Sequence, residues 1–284
     1  MYLSRRHTSR QQTILTALLY VILIAFSFLM LAPFLWGIST SLKGRSEVFL
    51  YPPQWIPSLQ QWHNYAEVWE MLPFGRYYWN SFYISALIVI GQLVASSMSG
   101  FVFARLRFPG RDQIFIAYLA SMMVPGQVIM IPIFLIVKYL GWIDSHLSLI
   151  IPSIAGPFGT FMFRQFFLTV PEDLVDAAKI DGCNPWRIYW NIFLPLAKPA
   201  LATLAVFTFM NTWNSFLWPL ILLRTPDLFT VTLGLSAMQG MDQFRTAWQL
   251  VMAGAVTAMV PVLIIFLAAQ RYFIEGMTLT GLKA

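Results

Sequence analysis

The chain has 284 residues, of which 58% are hydrophobic and only 11% are charged, and its mean hydropathy is +0.66. This composition excludes an ordinary soluble domain, which needs far more polar surface. The net charge of +6 does not indicate nucleic-acid binding, because the basic residues occupy short segments between long apolar runs. The chain is therefore predicted to lie in a lipid membrane and to have no nucleic-acid partner.

The cysteine and histidine content argues against a metal site. The lone cysteine, Cys183, excludes an internal disulfide and any multi-cysteine metal site. The histidines, His7, His63 and His146, lie in three separate polar segments, and each is interpreted as a solvated loop residue rather than a ligand. We expect no metal and no cofactor on this chain.

Six stretches have about the 20 mostly apolar residues that a membrane-crossing helix needs. Backbone groups in lipid must be bonded within their own segment, and no barrel-like alternation is present, so helices are predicted. The first stretch is too long for a signal peptide and is interpreted as a retained span. The fold class is an all-α polytopic membrane protein, with one transmembrane domain over residues 1–284. The predicted spans are about 14–36, 81–103, 114–137, 147–167, 200–223 and 247–270.

The basic residues set the predicted orientation. With the amino terminus inside, twelve of the eighteen Lys and Arg residues fall on the cytoplasmic side, which places both termini in the cytoplasm. The segment from Gly37 to Tyr78 then faces outward. In the third and fourth spans Pro125, Pro152 and Pro157 predict kinks or local unwinding, which would serve either simple bending or a gate.

The source of energy for transport is predicted to lie on another polypeptide. Every Asp and Glu is in a loop or at a helix end, whereas ion-coupled carriers usually bury carboxylates in the membrane. No phosphate-binding G-x-x-x-x-G-K-[ST] loop is present. Sodium sites built from carbonyls and hydroxyls keep an ATP-independent secondary carrier as an alternative. A membrane enzyme is disfavoured because the histidines are scattered and no paired base accompanies them.

The longest polar stretch between spans, residues 168–198, is predicted to form two short helices joined by a turn. Pro171 suits the first helical position, and Gly182 suits a left-handed helix end. Asn184 can cap the second helix, Pro185 opens it and Pro195 limits it. These properties fit either a helical hairpin in the lipid interface or a docking surface for a soluble partner.

The residues of this loop follow a known pattern. The segment resembles the EAA loop of binding-protein-dependent ABC import permeases, which reads E-A-A-x-x-x-G, nine residues, then I-x-L-P. Aspartate replaces the first glutamate and keeps its charge. The matching residues are Asp176, Ala177, Ala178, Asp181, Gly182, Ile192, Leu194 and Pro195.

The resemblance implies that this loop contains a coupling helix, which sits in a groove of an ATPase subunit and transmits its closure to the membrane helices. It implies four partner subunits besides lipid: a second permease, two ATPase subunits that bind ATP and Mg, and an extracytoplasmic solute-binding protein. The chain itself is then not an enzyme, and its location is a prokaryotic plasma or inner membrane.

Further motifs resemble the carbohydrate-uptake branch, and in particular the smaller of the two maltose-importer permeases. They include Ser41-Leu42-Lys43, Asn80-Ser81, Phe103-Ala104-Arg105 and Trp213-Asn214-Ser215-Phe216. The resemblance implies a cargo of sugars or related solutes. Polyols, glycosylated compatible solutes and glycerol phosphodiesters remain alternatives within the family.

Amides beside indoles in the spans suit a neutral polyhydroxylated cargo, because hydroxyls need partners and sugar faces stack on rings. The alternative is that these groups bond across helices. The candidate pathway residues are Gln92, Asn211, Trp213, Asn214 and Trp218.

The outer segment from Thr225 to Thr246 resembles the part of the family that reaches into the docked binding protein. An ordinary turn is the alternative. The candidate contact residues are Met238, Gln239, Gly240 and Met241.

Overall fold

A computed structural model describes residues 10–240 and 246–281, and this part of the chain is all-helical, with no strand. Short 3₁₀ turns cover Ser121–Met123 and Pro226–Leu228, and a π-helical turn covers Tyr189–Phe193. In chain order the α-helices are α1 (Arg10–Ser41), α2 (His63–Met71), α3 (Phe74–Arg105), α4 (Arg111–Ala120), α5 (Gly126–Tyr139), α6 (Leu147–Ser153), α7 (Pro157–Leu168), α8 (Glu172–Ile180), α9 (Pro185–Ile188), α10 (Leu194–Leu196), α11 (Lys198–Trp213), α12 (Leu217–Leu222), α13 (Val231–Gly240) and α14 (Trp248–Gly281).

Four stretches are long and apolar enough to cross a membrane: Ile14–Ser41, Phe74–Arg105, Leu147–Leu168 and Trp248–Gln270. Two bent pairs meet the same criterion together, so the described residues supply up to six spans. Arg111–Met123 and Gly126–Tyr139 meet at 102°, and Pro185–Leu196 and Lys198–Trp213 meet at 75°. The first bend lies at Pro125, because proline cannot donate the backbone hydrogen bond that would continue the helix.

The chain divides into two compact units, residues 1–71 with 242–257, and residues 72–241 with 258–284. In the first unit, the Asn64 amide ties α2 to the end of α1 by donating to the carbonyls of Ser41 (2.7 Å) and Lys43 (3.0 Å). The Lys43 side chain is fully buried, and its Nζ lies 3.9 Å from the centroid of the Trp36 ring. This contact offsets part of the cost of burying an ammonium group.

In the second unit, α3 and α7 approach closely through small residues. The backbone at Gly159 lies against Ser96, and an added Cβ there would come within 2.4 Å of the serine Oγ. At Gly100 an added Cβ would lie 2.5 Å from the Cβ of Phe163 and 3.0 Å from the backbone nitrogen of Arg164. Small residues permit such approaches between membrane helices.

We expect Gly100→Ala to destabilise the protein by about 1–3 kcal/mol, because the added methyl group meets backbone that cannot move aside cheaply. The midpoint of thermal unfolding in detergent measures this effect. Gly126→Ala is the matched control, since no atom lies within 4 Å of a Cβ added there. Equal midpoints for the two variants would contradict the proposed close packing.

At the opposite end of α3, polar groups fasten the segment 224–231. Asn80 donates from its amide to the carbonyls of Asp227 (2.9 Å) and Phe229 (3.0 Å), and Arg76 pairs with Asp227 at 2.9 Å. His146 uses both ring nitrogens, one with the Tyr83 hydroxyl and the other with the Leu228 carbonyl. The interpretation of His146 as a solvated loop residue is therefore wrong, because its partners are distant in sequence.

Asp144 completes this fastening from the α5–α6 connection. Its carboxylate accepts hydrogen bonds from the Thr225 hydroxyl (2.6 Å) and from the backbone N–H groups of Thr225 (2.9 Å) and Arg224 (2.8 Å). These bonds, that of the Thr225 hydroxyl foremost, hold the pKa of Asp144 below its ordinary value of 3.8. The backbone of Asp144 has a φ of 59°, which asparagine also tolerates.

Because the folded state lowers this pKa, the stabilisation is present above pH 3.8 and is lost as the pH falls below that value. We expect Asp144→Asn to unfold at a lower temperature than the wild type at pH 7, with the difference shrinking below pH 3.8. Unfolding midpoints from pH 3 to pH 7 test this, with Glu70→Gln as an exposed carboxylate control. A difference in unfolding midpoint between the wild type and Asp144→Asn that does not change with pH would contradict a stabilising role for the ionised Asp144 carboxylate.

Candidate functional site

The loop 168–198 folds as two helical segments joined by a tight reversal. Pro171, predicted as the first helical residue, instead precedes α8 with a φ of −56° and a ψ of 139°. Glu172 and Asp173 occupy the first turn, where their charges favour the positive end of the helix dipole. The reversal is at Gly182, whose φ of +78° confirms the predicted left-handed helix end.

The second segment begins as predicted. The Asn184 Oδ1 accepts a hydrogen bond from the Arg187 backbone N–H at 2.8 Å, and Pro185 is the first residue of α9. The helix then widens into the π turn Tyr189–Phe193 and continues through α10, one residue beyond Pro195. A turn at Ala197 leads into α11.

A buried aromatic and aliphatic cluster holds this loop against α3 and α7. Phe101 of α3 and Phe167 of α7 meet Phe193 of the loop with ring centroids 5.0 Å and 5.3 Å apart. The buried hydroxyls of Ser97 and Tyr189 are hydrogen-bonded at 2.7 Å. The loop is thus part of the same packed body as the helices that precede and follow it.

Arg105, the last residue of α3, braces the start of the loop. Its Nη2 donates to the Phe167 carbonyl at 2.6 Å and also to the Val170 carbonyl, and its guanidinium lies 5.2 Å from the centroid of the Phe193 ring. These carbonyls are at the end of α7 and just after it, where helical hydrogen bonding stops; that of Phe167 also accepts a 3.3 Å bond from the Val170 backbone N–H. Arg105 therefore sets the direction in which the chain enters α8.

The two faces of α8 differ. Val175 and Ala178 are buried in the cluster, whereas Asp176, Ala177 and Ile180 are exposed, Ile180 by 86%. Asp176 pairs with Lys179 at 2.9 Å on the exposed face. Asp181 and Gly182 are exposed at the helix end; Pro195 is exposed, and Ile192 and Leu194 are half-buried. The predicted coupling residues therefore include an exposed set on α8 and a set that anchors the loop.

A cavity of about 640 Å³ lies deeper in the same unit, among α3, α6, α7, α11 and α12. Helix α11 ends at Trp213 and α12 begins at Leu217, so the predicted continuous span 200–223 is interrupted at residues 214–216. Interrupted helices of this kind present polar groups within a membrane. The polar residues lining the cavity are Gln92, Ser148, Ser153, Thr208, Asn211, Thr212, Ser215, Trp218 and Thr230.

The structure brings three of the five predicted pathway residues, Gln92, Asn211 and Trp218, to this cavity. The Gln92 amide is used within the fold, since it donates to the Ser153 carbonyl and accepts from the Thr208 hydroxyl, both at 2.8 Å. It therefore links α3, α6 and α11. Trp213 does not line the cavity: it is buried, and its indole N–H donates to the Ala258 carbonyl at 3.0 Å. Asn214 donates to the Met210 carbonyl at the end of α11.

Sequence reasoning missed Thr212 and Ser215 as cavity residues and Arg105 as a brace. Thr212 and Ser215 both lie beside predicted pathway residues; Thr212 is in the last turn of α11, and Ser215 is in the break that follows it. Arg105 was counted among cytoplasmic charges, and its carbonyl acceptors lie more than 60 residues away in sequence.

The predicted binding-protein contact falls at the end of α13. Met238 is buried and Gln239 is exposed, Gly240 ends the helix, and Met241 lies outside the described residues. This part of the segment is a helix rather than an ordinary turn.

Comparisons with known proteins bear on the whole chain. Residues 92–279 match the family described as binding-protein-dependent transport system inner membrane component. The arabinooligosaccharides transport system permease protein AraQ of Halalkalibacterium halodurans is 40% identical over 210 residues, which are 72% of this chain and 75% of that protein. The sn-glycerol-3-phosphate transport system permease protein UgpE of Pectobacterium atrosepticum is 34% identical over 264 residues, covering 91% of this chain and 94% of that protein.

The fold is also similar to that of a solved structure. A chain in the crystal structure of a bacterial ABC transporter involved in the import of the acidic polysaccharide alginate superposes with a TM-score of 0.84 at 24% identity, covering 93% of this chain and 98% of that one. The packed loop, the interrupted helices and these similarities agree with one another. This chain belongs to the family of inner membrane components of binding-protein-dependent transport systems.

Proposed function

We propose that this chain couples the closure of two separate ATPase subunits to alternating access in an importer for sugars or related polyhydroxylated solutes. ATP and Mg bind to those partners, and this chain contributes the surface that receives their motion. A second permease completes the pore, and an extracytoplasmic binding protein delivers the cargo. The family assignment supports this function over an ATP-independent carrier.

The observation that carries the proposal is the arrangement of α8. Its exposed face presents Ala177 and Ile180 between carboxylates, so a groove on a partner can approach the helix closely. Its buried face is packed against the ends of α3 and α7 through Val175 and Ala178. A push on the exposed face therefore moves a packed body, which responds as a unit rather than deforming locally.

The proposed orientation follows from this surface. Loop 168–198 meets a cytoplasmic ATPase, so both termini lie in the cytoplasm and the segment 224–240 faces outward. Met238, Gln239 and Gly240 then lie on the side from which the binding protein docks.

Copurification tests the ATPase contact. We expect an ATPase and a second permease to accompany the tagged wild-type chain from its native membrane, identified by mass spectrometry. Ala177→Trp should reduce the recovered ATPase at least tenfold, because a bulky ring on the exposed face blocks the groove. Ala66→Trp is the matched control, an exposed helical alanine on α2. The proposal would be contradicted if the two variants recovered equal amounts of ATPase. It would also be contradicted if no ATPase accompanied the wild type or either variant.

For the cargo, we propose that the pathway runs along the 640 Å³ cavity. Asn211 and Trp218 offer an amide and an indole there, and in the described residues neither side chain makes a hydrogen bond within the protein. Gln92 serves mainly to hold the cavity wall, and Trp213 and Asn214 do not line the cavity. The lining carries amides, hydroxyls and rings, which suit a polyhydroxylated solute.

We expect Asn211→Leu and Trp218→Ala to raise the KM for uptake of a transported oligosaccharide by reconstituted transporter about tenfold, as the loss of one or two hydrogen bonds or a stacking contact predicts. Asn214→Leu is the control, an amide outside the cavity. Basal ATPase activity should not change in any of the three. An unchanged KM in the two cavity variants would exclude direct cargo contact here.

A further inference from the structure

A second cavity, of about 440 Å³, lies where the last turns of α3 face the second segment of the loop. This groove has a size in the range of small-molecule sites, about 300–1,000 Å³. Its lining is mostly apolar, and it consists of Met98, Phe101, Val102, Leu106, Asn184, Pro185, Trp186 and Tyr189.

Two polar groups in the groove are bonded within the fold. The Asn184 Oδ1 accepts from the Arg187 backbone N–H, and the Tyr189 hydroxyl is bonded to Ser97. In the described residues the Asn184 amide N–H and the Trp186 indole N–H have no acceptor, so the groove offers a mostly hydrocarbon wall with two side-chain donors.

The cations around the groove fall into two classes. Arg111 and Arg164 pair with Asp112, Lys179 pairs with Asp176, and Arg105 is bonded to carbonyls. Within the described ranges, Arg107 and Arg187 are exposed and form no ion pair. Each directly follows a groove residue, Leu106 or Trp186, so both side chains start beside the groove, and Arg107 also lines the adjoining pocket formed by residues 107–113.

The groove also lies at the depth of lipid headgroups. Helix α3 has 32 residues, a length of about 48 Å, which exceeds the hydrocarbon thickness of about 30 Å. The helix therefore extends beyond the hydrocarbon at one or both of its ends. Trp186 and Trp190, exposed by 55% and 46%, place their rings at this end of the molecule, as tryptophan does at membrane interfaces.

We propose that this groove binds one anionic phospholipid. An acyl chain lies between α3 and the Trp186–Tyr189 turn, and the phosphate pairs with Arg107 and Arg187. The hydrocarbon wall complements an acyl chain of a phospholipid, and the two unpaired cations complement its phosphate. A soluble protein partner would leave the depth of the groove empty. The site holds the second segment of the loop to the end of α3 and does not depend on ATPase docking.

The test uses the intact transporter in nanodiscs of phosphatidylcholine with about one third phosphatidylglycerol. A photoactivatable phosphatidylglycerol with its reactive group on the acyl chain should form adducts within residues 98–106 or 184–190, mapped by mass spectrometry. A matched phosphatidylcholine probe should label these peptides several-fold less. Each arginine near an anionic surface contributes about fivefold to binding, so Arg107→Gln/Arg187→Gln should reduce labelling about 25-fold.

Two further variants keep the test specific. Lys198→Gln removes an exposed cation that does not adjoin the groove, and labelling should be retained. Val102→Trp fills the groove and should abolish labelling while both arginines remain. Adducts on a partner subunit only, equal labelling by the two lipids, or labelling that survives both the double variant and Val102→Trp would overturn the proposal.

Discussion

Replacing Gly182 with valine, a β-branched residue that hardly ever adopts a left-handed conformation, is expected to leave the chain in the membrane but to reduce ATP-driven uptake at least tenfold. Gly182 has a φ of +78°, in the left-handed region, and no atom lies within 4 Å of a Cβ added there. The cost is therefore conformational rather than steric, about 1–2 kcal/mol. A cost of this size does not unfold the protein. Opening the tight reversal after α8 would remove the unfavourable backbone conformation, so the variant is expected to favour an opened reversal.

The reversal is defined by two backbone bonds, from Gly182 to the Lys179 carbonyl (3.0 Å) and from Cys183 to the Ala178 carbonyl (2.9 Å). Opening them changes the angle at which α8 meets its proposed partner. Uptake and ATP hydrolysis should be measured together in proteoliposomes, because uncoupling predicts lost uptake with hydrolysis that no longer responds to the binding protein. Gly182→Asn is the control, since asparagine tolerates this conformation and should keep most uptake. Normal uptake by Gly182→Val would refute the coupling role.

Arg105→Ala is expected to lower both stability and uptake. The guanidinium donates to the Phe167 and Val170 carbonyls, and charge-assisted bonds of this kind contribute about 1.5–3 kcal/mol each. Its loss removes a donor from each carbonyl, leaving that of Phe167 with the 3.3 Å bond from the Val170 backbone N–H, and it removes the contact with Phe193. The loop should then become more accessible to protease, as well as less effective in coupling.

The thermal unfolding midpoint and limited proteolysis of loop 168–198 measure this effect. Arg105→Lys should fall between the alanine variant and the wild type, because a single ammonium cannot match the planar guanidinium. Lys198→Ala, which removes an exposed cation from the start of α11, should have no effect. If Arg105→Ala and Lys198→Ala have the same unfolding midpoint and the same rate of proteolysis, the hydrogen bonds of Arg105 do not stabilise the loop.

Local signals predicted the loop well because its geometry depends on single residues. A glycine at a left-handed position and an asparagine that caps a following helix act within a few residues, and both Gly182 and Asn184 behave as the sequence predicts. The helical class followed from the apolar runs for a similar reason, since lipid leaves few choices to the backbone. The EAA-like pattern predicted the family that the comparisons then showed.

Features that depend on distant contacts were not predictable in the same way. Composition cannot show that the span 200–223 breaks at residues 214–216, because polar residues such as Gln92 and Ser96 also occur within the unbroken α3. Trp213 has the residue type of a cargo contact, yet its indole N–H meets the Ala258 carbonyl. His146 sits in a polar segment, and only the fold brings Tyr83 and Leu228 to its ring.

The exposed face of α8 has a consequence for the cell that makes this protein. Ile180 is 86% exposed and Leu174 is 45% exposed, so a chain synthesised in excess of its partners carries an uncovered aliphatic patch outside the spans. Such patches are bound by chaperones and attract proteolysis. We therefore expect the lifetime of this subunit to depend on the supply of the protein that covers α8, which would keep the subunits in a fixed ratio without matched synthesis rates.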